Sequence, residues 1–330
     1  MRLRTILVTL MMLATAAAQT SSHYPTRDRP TVRSNQFRTS PKNNQTEPNQ
    51  GPILVSTDLI SLTVSVTDSS GHSISGLKQD AFTVFDEKQP QQITFFSDDD
   101  APVSIGILFD LTGSMSGAKI RRATTALSYF FETSDNQDEY FLITLQNGRA
   151  FLSMDSTRDS KAVLDKLSLV EPKGNTALFD GARLAVEKVE RGIHPKRALL
   201  IISDGEDNNS RYTLKDIRNL LKESDVSIYC IGIEESGYGK LALSGSNTLD
   251  EMARISGGQA FFPRGKAEMD DSFVHIANEL RHQYSIGYKP NNFKSDGSWH
   301  RVKVKVNGQR GLPKLFVRTR EGYFAVDEAR

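Results

Sequence analysis

The sequence has little of what many protein classes require. It holds a single cysteine in 330 residues, so no internal disulfide can form and stability must come from a core or a bound ion. That residue, Cys230, lies within the apolar run VSIYCIGI and reads as a buried, inert thiol. Charge of one sign is also missing: 41 basic side chains face 40 acidic ones, so no global field favours nucleic acid or an anionic membrane. The six histidines show no HExxH or similar spacing, which leaves zinc chemistry without support. There is no GxxxxGK loop for a nucleotide, and no Ser-His-Asp or Cys-His set is suggested by residue order.

What is present begins with the first 18 residues. Arg2 and Arg4 precede an apolar run from Ile6 to Leu13, followed by the small residues Ala16-Ala17-Ala18. That order is expected of a cleavable secretory signal, with cleavage before Gln19. The run is shorter than the roughly 20 residues needed to span a bilayer. No cysteine follows it, so a lipoprotein anchor is not expected. The mature chain is expected to be secreted or periplasmic, with no stable membrane span. Residues 19–52, rich in Ser, Thr, Pro, Asn, Gln and Arg, read as a disordered spacer.

Beyond the spacer, hydrophobic patterning divides the chain. Leu59 to Thr67 alternates apolar and polar residues as a half-buried strand does, and Phe82 to Asp86 and Gln92 to Ser97 look similar. Three short strands are too few to stand alone. Tyr284 to Tyr288, Arg301 to Val306 and Leu315 to Arg318 offer three more at the far end. Residues 53–100 and 284–326 are therefore expected to pair into one antiparallel β-sandwich; the alternative is two separate β units. The alternate cations Arg301, Lys303 and Lys305 read as the solvated face of their strand. Residues 327–330 form a tail.

Residues 101–283 alternate strand and helix. The expected strands are Val103 to Phe109, Tyr140 to Leu145, Arg149 to Ser153, Ala198 to Ser203, Val226 to Gly232 and Gln259 to Phe262. The expected helices are Ala118 to Glu132, Ser160 to Leu167, Ala177 to Glu190, Leu214 to Glu223, Leu249 to Ile255 and Glu268 to His282. This pattern predicts an α/β, doubly wound (Rossmann-like), mostly parallel sheet with helices on both faces. Asn147-Gly148 is a hairpin signal, which predicts one antiparallel edge strand. The whole domain is expected to be inserted in the sandwich.

The chemistry gathers where apolar strands end in oxygen-bearing residues. Val103 to Phe109 runs into Asp110, Thr112 and Ser114. Gly174-Asn175-Thr176-Ala177 opens a helix and presents the Thr176 hydroxyl. The strand ALLIIS closes on Ser203-Asp204-Gly205. All three stretches fall at the C-terminal edge of the sheet, where open α/β sheets hold ligands. Their side chains are hard oxygen donors suited to Mg²⁺, Mn²⁺ or Ca²⁺. Taken singly, Asp110 could be a helix cap and Asp204-Gly205 an ordinary turn.

Together, Asp110-x-Thr112-x-Ser114, Thr176 and Ser203-Asp204-Gly205 resemble the metal-ion-dependent adhesion site (MIDAS) of von Willebrand factor type A (VWA) domains, over Val103 to about His282. Thr112 departs from the usual serine, keeping the hydroxyl but adding a methyl. The resemblance implies that Thr112 and Ser114 ligate through hydroxyls and Thr176 directly or through water. Asp110 and Asp204 would supply carboxylates, directly or via water. It implies a non-enzymatic binding module whose cation captures an acidic side chain of a partner protein, and a last helix able to shift when the ion's shell changes. The flanks (V-x-V-x-D-x-x-G, G-L-x-x-D-x-F, Q-Y-x-I-G-Y and R-x-G-Y-F) resemble bacterial secreted proteins with such a domain between β-rich ends.

Two rivals remain. ILFDLTGS resembles the strand end of Mg²⁺-dependent haloacid-dehalogenase-type phosphatases, with Asp110 as nucleophile, but Thr112 stands where a second acid is needed. A structural subunit with a decayed metal site is the other. Asp180, Glu206 and Asp207 read as solvated carboxylates or as supports for the ligands, Asp98-Asp99-Asp100 as a solvated junction, and Ser236 to Ser246, with Tyr238, as a rim loop.

Overall fold

The computed structural model describes residues 59–115, 117–233, 240–291, 293–307 and 314–325. The expected export signal, spacer and tail, and Tyr238, lie outside the described residues. In chain order, β1 (Ile60–Thr67), β2 (Phe82–Asp86), β3 (Gln89–Gln91) and β4 (Ile93–Ser97) form the first flank. Next come β5 (Val103–Asp110), α1 (Ala118–Thr133), β6 (Glu139–Gln146), β7 (Arg149–Thr157), α2 (Ser160–Ser168) and α3 (Leu178–Val189). The second half of the inserted domain holds β8 (Lys196–Ser203), α4 (Leu214–Glu223), β9 (Ser227–Gly232), α5 (Lys240–Ser256), β10 (Ala260–Phe261) and α6 (Lys266–Arg281). The far flank adds β11 (Tyr284–Tyr288), β12 (Trp299–Val306), β13 (Phe316–Arg318) and β14 (Gly322–Phe324).

The central sheet runs β10-β9-β8-β5-β6-β7, with every pairing parallel except β6 with β7. That is the expected doubly wound sheet with one antiparallel edge. All eight residues of β5 are buried, as a strand covered on both faces must be. Its odd positions Val103, Ile105, Ile107 and Phe109 join a core with α1 and α6, while Leu108 faces the core beneath α3. The helix α1 buries Ala123, Ala126, Leu127 and Phe130 on one face. Packing is close under α3: a Cβ at Gly181 would stand 2.5 Å from Leu145 Cδ2 and 2.9 Å from Leu108 Cδ1. Only a bare backbone lets α3 lie this close to β5 and β6.

The flanking strands form two antiparallel sheets, β13-β1-β11-β4 and β14-β12-β2-β3, and each draws on both ends of the chain. Leu62, Val64, Val84, Tyr284, Ile286, Val302 and Val304 share one core between them. Phe82 and Tyr284 meet across it with ring centroids 4.9 Å apart. Short β3 and β14 carried too few residues for a periodic signal. The stretch expected as a loop from Ser236 to Ser246 is corrected in part, because α5 already begins at Lys240.

Both crossings between flank and insert are polar and paired. Lys196 Nζ donates to the carbonyls of Asp99 at 2.9 Å and Gln283 at 3.2 Å, tying the entering and leaving strands together. Arg281 pairs with Asp100 and lies 3.3 Å from Asp135 Oδ2. The acidic junction is therefore exposed but engaged, not merely solvated. Glu279 of α6 is the buried node. Tyr229 Oη of β9 donates to its Oε1 at 2.6 Å, and Arg318 of β13 pairs with Oε2. Gln283 Nε2 donates to Tyr229 Oη at 2.9 Å and to Ser65 Oγ of β1 at 3.3 Å.

Burial alone would raise the Glu279 carboxyl, but His275, Arg318 and Tyr229 outweigh it and hold the group down to about 2. A depressed carboxyl supports the fold above its unfolded value of 4.5 and loses that support as pH falls through about 2. Glu279→Gln leaves Arg318 without its counter-charge and should lower stability near neutrality by about 3 kcal/mol. In urea unfolding, the gap between wild type and variant should close as pH falls from 4.5 towards about 2. A gap that stays constant would contradict the node.

Candidate metal centre

Strand order sets the location. β5 continues on one side to β6 and on the other pairs with β8, so the sheet's topological switch point lies at the C-terminal end of β5. There the last strand residue is Asp110, buried as fully as its apolar neighbours. An uncompensated buried carboxylate is costly, and three donors converge on it. Thr112 donates to Oδ1 through its backbone N at 3.0 Å and its hydroxyl at 2.6 Å. Ser203 Oγ, at the end of β8, donates to Oδ2 at 2.7 Å.

The remaining hydroxyls follow from Thr112. Its Oγ1 lies 2.9 Å from Thr176 Oγ1 and 3.4 Å from Ser114 Oγ; with its one proton given to Asp110, it accepts from these hydroxyls. Thr112 and Thr176 are buried, Ser114 is exposed and Asp204 is partly exposed. Burial, helped by the charge of Asp204, raises the Asp110 carboxyl to about 6 against the pull of the Thr112 and Ser203 hydrogen bonds. Asp204 is thus close enough to be felt, although no direct hydrogen bond joins the two carboxylates; its own Oδ1 accepts from Glu206 N at 3.2 Å. Position 112, where a phosphatase of the rival class needs an acid, carries a hydroxyl that donates to Asp110.

Backbone hydrogen bonds stitch four loops into one rim. Lys173 N reaches Leu111 O at 3.2 Å, Gly113 N reaches Gly174 O at 3.1 Å, and Gly148 N reaches Asn175 O at 2.7 Å. Asn208 N and Asn209 N both donate to Thr176 O. The hairpin read from Asn147-Gly148 has both residues at positive φ, 49° and 69°, as a two-residue turn between twisted strands prefers. It is also a structural part of the rim.

The structure brings Asp110, Thr112, Ser114 and Thr176 into one connected set, with Asp204 beside it. Ser203, Asn208 and Ser210 carry no supporting role in the sequence reading, whereas Asp180 and Asp207 read as solvated or as supports. Ser203 orients Asp110, and Asn208 Oδ1 accepts from Thr176 N at 2.9 Å. The first turn of α3 lacks a cap of its own, and Asp207 and Ser210 supply one by accepting from Phe179 N, each at 3.1 Å. Asp180 accepts from Arg211 N and Nε, both at 2.9 Å. Asp180 and Asp207 therefore hold the loop behind Asp204 and are not merely solvated. No local pattern announces these bonds, since each links residues about thirty or more apart.

The donor chemistry fits a hard divalent cation: two carboxylates and three hydroxyls, all oxygen, with two members on the open side. Among the described residues no three His, Cys, Asp or Glu side chains group into a metal site, so a cation here depends on the hydroxyls.

Fold and rim together define a class, an open α/β domain with an oxygen-lined site at its switch point. A sequence profile of the von Willebrand factor type A domain matches residues 104–273, just over half of the chain. The chain belongs to that family. Domains of this family generally serve as binding or scaffold modules. No curated protein matches the sequence. Among solved structures, a von Willebrand factor type A protein from Catenulispora acidiphila is 12% identical, over 80% of this chain and 74% of its own, with a TM-score of 0.48. BatB from Bacteroides thetaiotaomicron is 17% identical, over 53% of this chain and 98% of its own, with a TM-score of 0.42. The vWF domain of the type V pili tip protein Mfa5 from Porphyromonas gingivalis is 13% identical, over 54% and 94%, with a TM-score of 0.43.

Gly205 offers a test of how the rim is held. Its φ is +80°, and a Cβ there would stand 2.4 Å from the carbonyl oxygen of Gly245 in α5. Gly205→Ala should cost more than about 1 kcal/mol, seen as a lower melting temperature. An unchanged melting curve would mean that the Asp204 loop is not clamped against α5.

Proposed function

We propose that this chain is an exported, metal-ion-dependent protein-binding module of the adhesion or scaffold type. Asp110, Thr112, Ser114, Thr176 and Asp204 would hold Mg²⁺, or Mn²⁺ or Ca²⁺ in its place. A bound divalent cation supplies an electrophilic position to which an acidic side chain of a partner protein can add. The observation that carries the reading is the convergence of oxygen side chains from three loops on one rim, with Ser114 and Asp204 on its open side. Thr112 orders the set by donating to Asp110, and Ser203 fixes the other oxygen of that carboxylate. Export is supported by the signal pattern of residues 1–18, and no helix among the described residues is long and apolar enough to cross a membrane.

Isothermal titration with Mg²⁺ and Mn²⁺ tests the site. Wild type should bind one ion, whereas Asp204→Ala should give no heat while keeping its circular dichroism spectrum. Asp204 is partly exposed, so its loss should cost the fold less than about 1 kcal/mol. Heat retained in Asp204→Ala would reject the ligand set, and no heat in wild type would mark a decayed site.

The departure at position 112 gives a second measurement. Thr112→Ser keeps the hydroxyl and should bind the ion within about threefold of wild type, the scale of one displaced methyl. Thr112→Val removes the donor to Asp110 and should lose at least about tenfold in affinity. Equal affinity in all three proteins would exclude the Thr112 hydroxyl from the site.

A further inference from the structure

Several of the described arginines pair with an acid from another part of the fold. Arg211 pairs with Asp180, Arg218 with Glu251, Arg254 with Glu321, Arg281 with Asp100, Arg318 with Glu279 and Arg320 with Asp225. A different situation holds on the outward face of the β14-β12-β2-β3 sheet. Lys88, Arg301, Lys303 and Lys305 line one groove of about 670 Å³, and among the described residues none of them has a carboxylate within 4.0 Å. Val302 and Val304 between them point into the sandwich core, so the alternation of β12 puts all of its cations on the groove side.

The floor is aromatic. Phe85 of β2 stands opposite Lys303 in the antiparallel register, and Lys305 Nζ lies 4.9 Å from its ring centroid. Trp299 opens β12, packs edge-on against Phe324 at 5.0 Å and carries Lys222 Nζ of α4 over its ring at 5.1 Å. The one acid at the groove, Glu87, accepts a hydrogen bond from Arg301 N at 2.6 Å. The turn at Glu87 and Lys88 has φ of 46° and 68°, a conformation that usually selects asparagine or glycine. Keeping lysine there sets a fourth cation at the groove's margin.

We propose that this groove docks an extended acidic segment of a partner protein, at a site separate from the oxygen-lined rim. Arg301, Lys303 and Lys305 recur at every second residue, so their spacing is about 6.7 Å. An extended peptide presents alternate side chains at the same repeat, which brings acids at positions i, i+2 and i+4 into register with the three cations. Three of the groove's four cations are lysines, flexible point charges that suit carboxylates spaced along a chain better than the planar fork that grips a single oxyanion. The aromatic floor supplies the rigid apolar area that binding hot spots favour.

Trp299 is the only tryptophan of the chain, so its emission reports on the groove directly. The full chain is titrated with a synthetic peptide in which three glutamates alternate with serine. A composition-matched peptide with contiguous glutamates, a polyuronate fragment and a single-stranded oligonucleotide serve as comparisons. At about 50 mM salt the alternating peptide should give a saturable change, at least about fivefold tighter than the contiguous one. Binding should weaken at least about tenfold near 0.3 M salt and in Lys303→Glu, a substitution on an exposed strand face, and should be indifferent to chelator. Four results would overturn the proposal: no saturable change, equal affinity for both peptides, Lys303→Glu binding like wild type, or tighter binding of the polyuronate or oligonucleotide.

Discussion

The carboxylate of Asp110, buried at the end of the central strand, is the constraint on which the rim depends. A charge in that position needs donors, and the chain provides them from two directions. Thr112 folds back on it from the loop that follows β5, and Ser203 reaches it from the end of β8. Once Thr112 is fixed, its hydroxyl meets Thr176, which stands just before α3. One buried acid thus aligns three loops, and the backbone bonds between Leu111, Gly113, Asn147, Gly148, Lys173 and Asn175 keep them aligned. The result is an oxygen-rich surface built on rigid element ends, the kind of support that a preorganised site requires.

At the opposite end of the inserted domain, the same kind of bond does different work. Glu279 is buried where α6 meets the flanking sheets, and it is met by Tyr229 from the central sheet and Arg318 from the sandwich. Gln283 extends the contact to Ser65 of β1. Chain topology makes this necessary, since a domain inserted between β4 and β11 must enter and leave the sandwich side by side. Lys196 joins the two crossings by bonding a carbonyl on each. The insert is therefore held to its flanks through polar contacts at a fixed place, and α6 is their shared element.

Much of the architecture was legible because burial writes itself into periodicity. The fully buried β5, the alternating β1 and β12 and the amphipathic α1 announced their states, and the oxygen-bearing strand ends were visible as breaks in apolar runs. Other features left no local trace. Residues 240–246, rich in small and polar side chains, look like loop, yet they are helical, and Gly245 packs its backbone against Asp204 and Gly205. Asp180 and Asp207 look like solvated acids, yet they hold the segment behind Asp204 against α3. Arg301, Lys303 and Lys305 look like any exposed strand face; the groove beneath them forms only where Phe85 arrives from the neighbouring strand β2 to join Trp299 of their own strand.

By itself, the sequence determined the elements of this protein and their order, the parallel character of the inserted sheet and the residue types able to hold a hard cation. Those properties depend on neighbours within a few positions, where strand and helix periods and turn residues act. Tertiary structure alone decided which donors meet Asp110, how the flanks divide into two sheets, where Glu279 finds its partners and which cations are left unpaired. Each of those outcomes rests on contacts between residues far apart in the chain, whose distances no local pattern encodes.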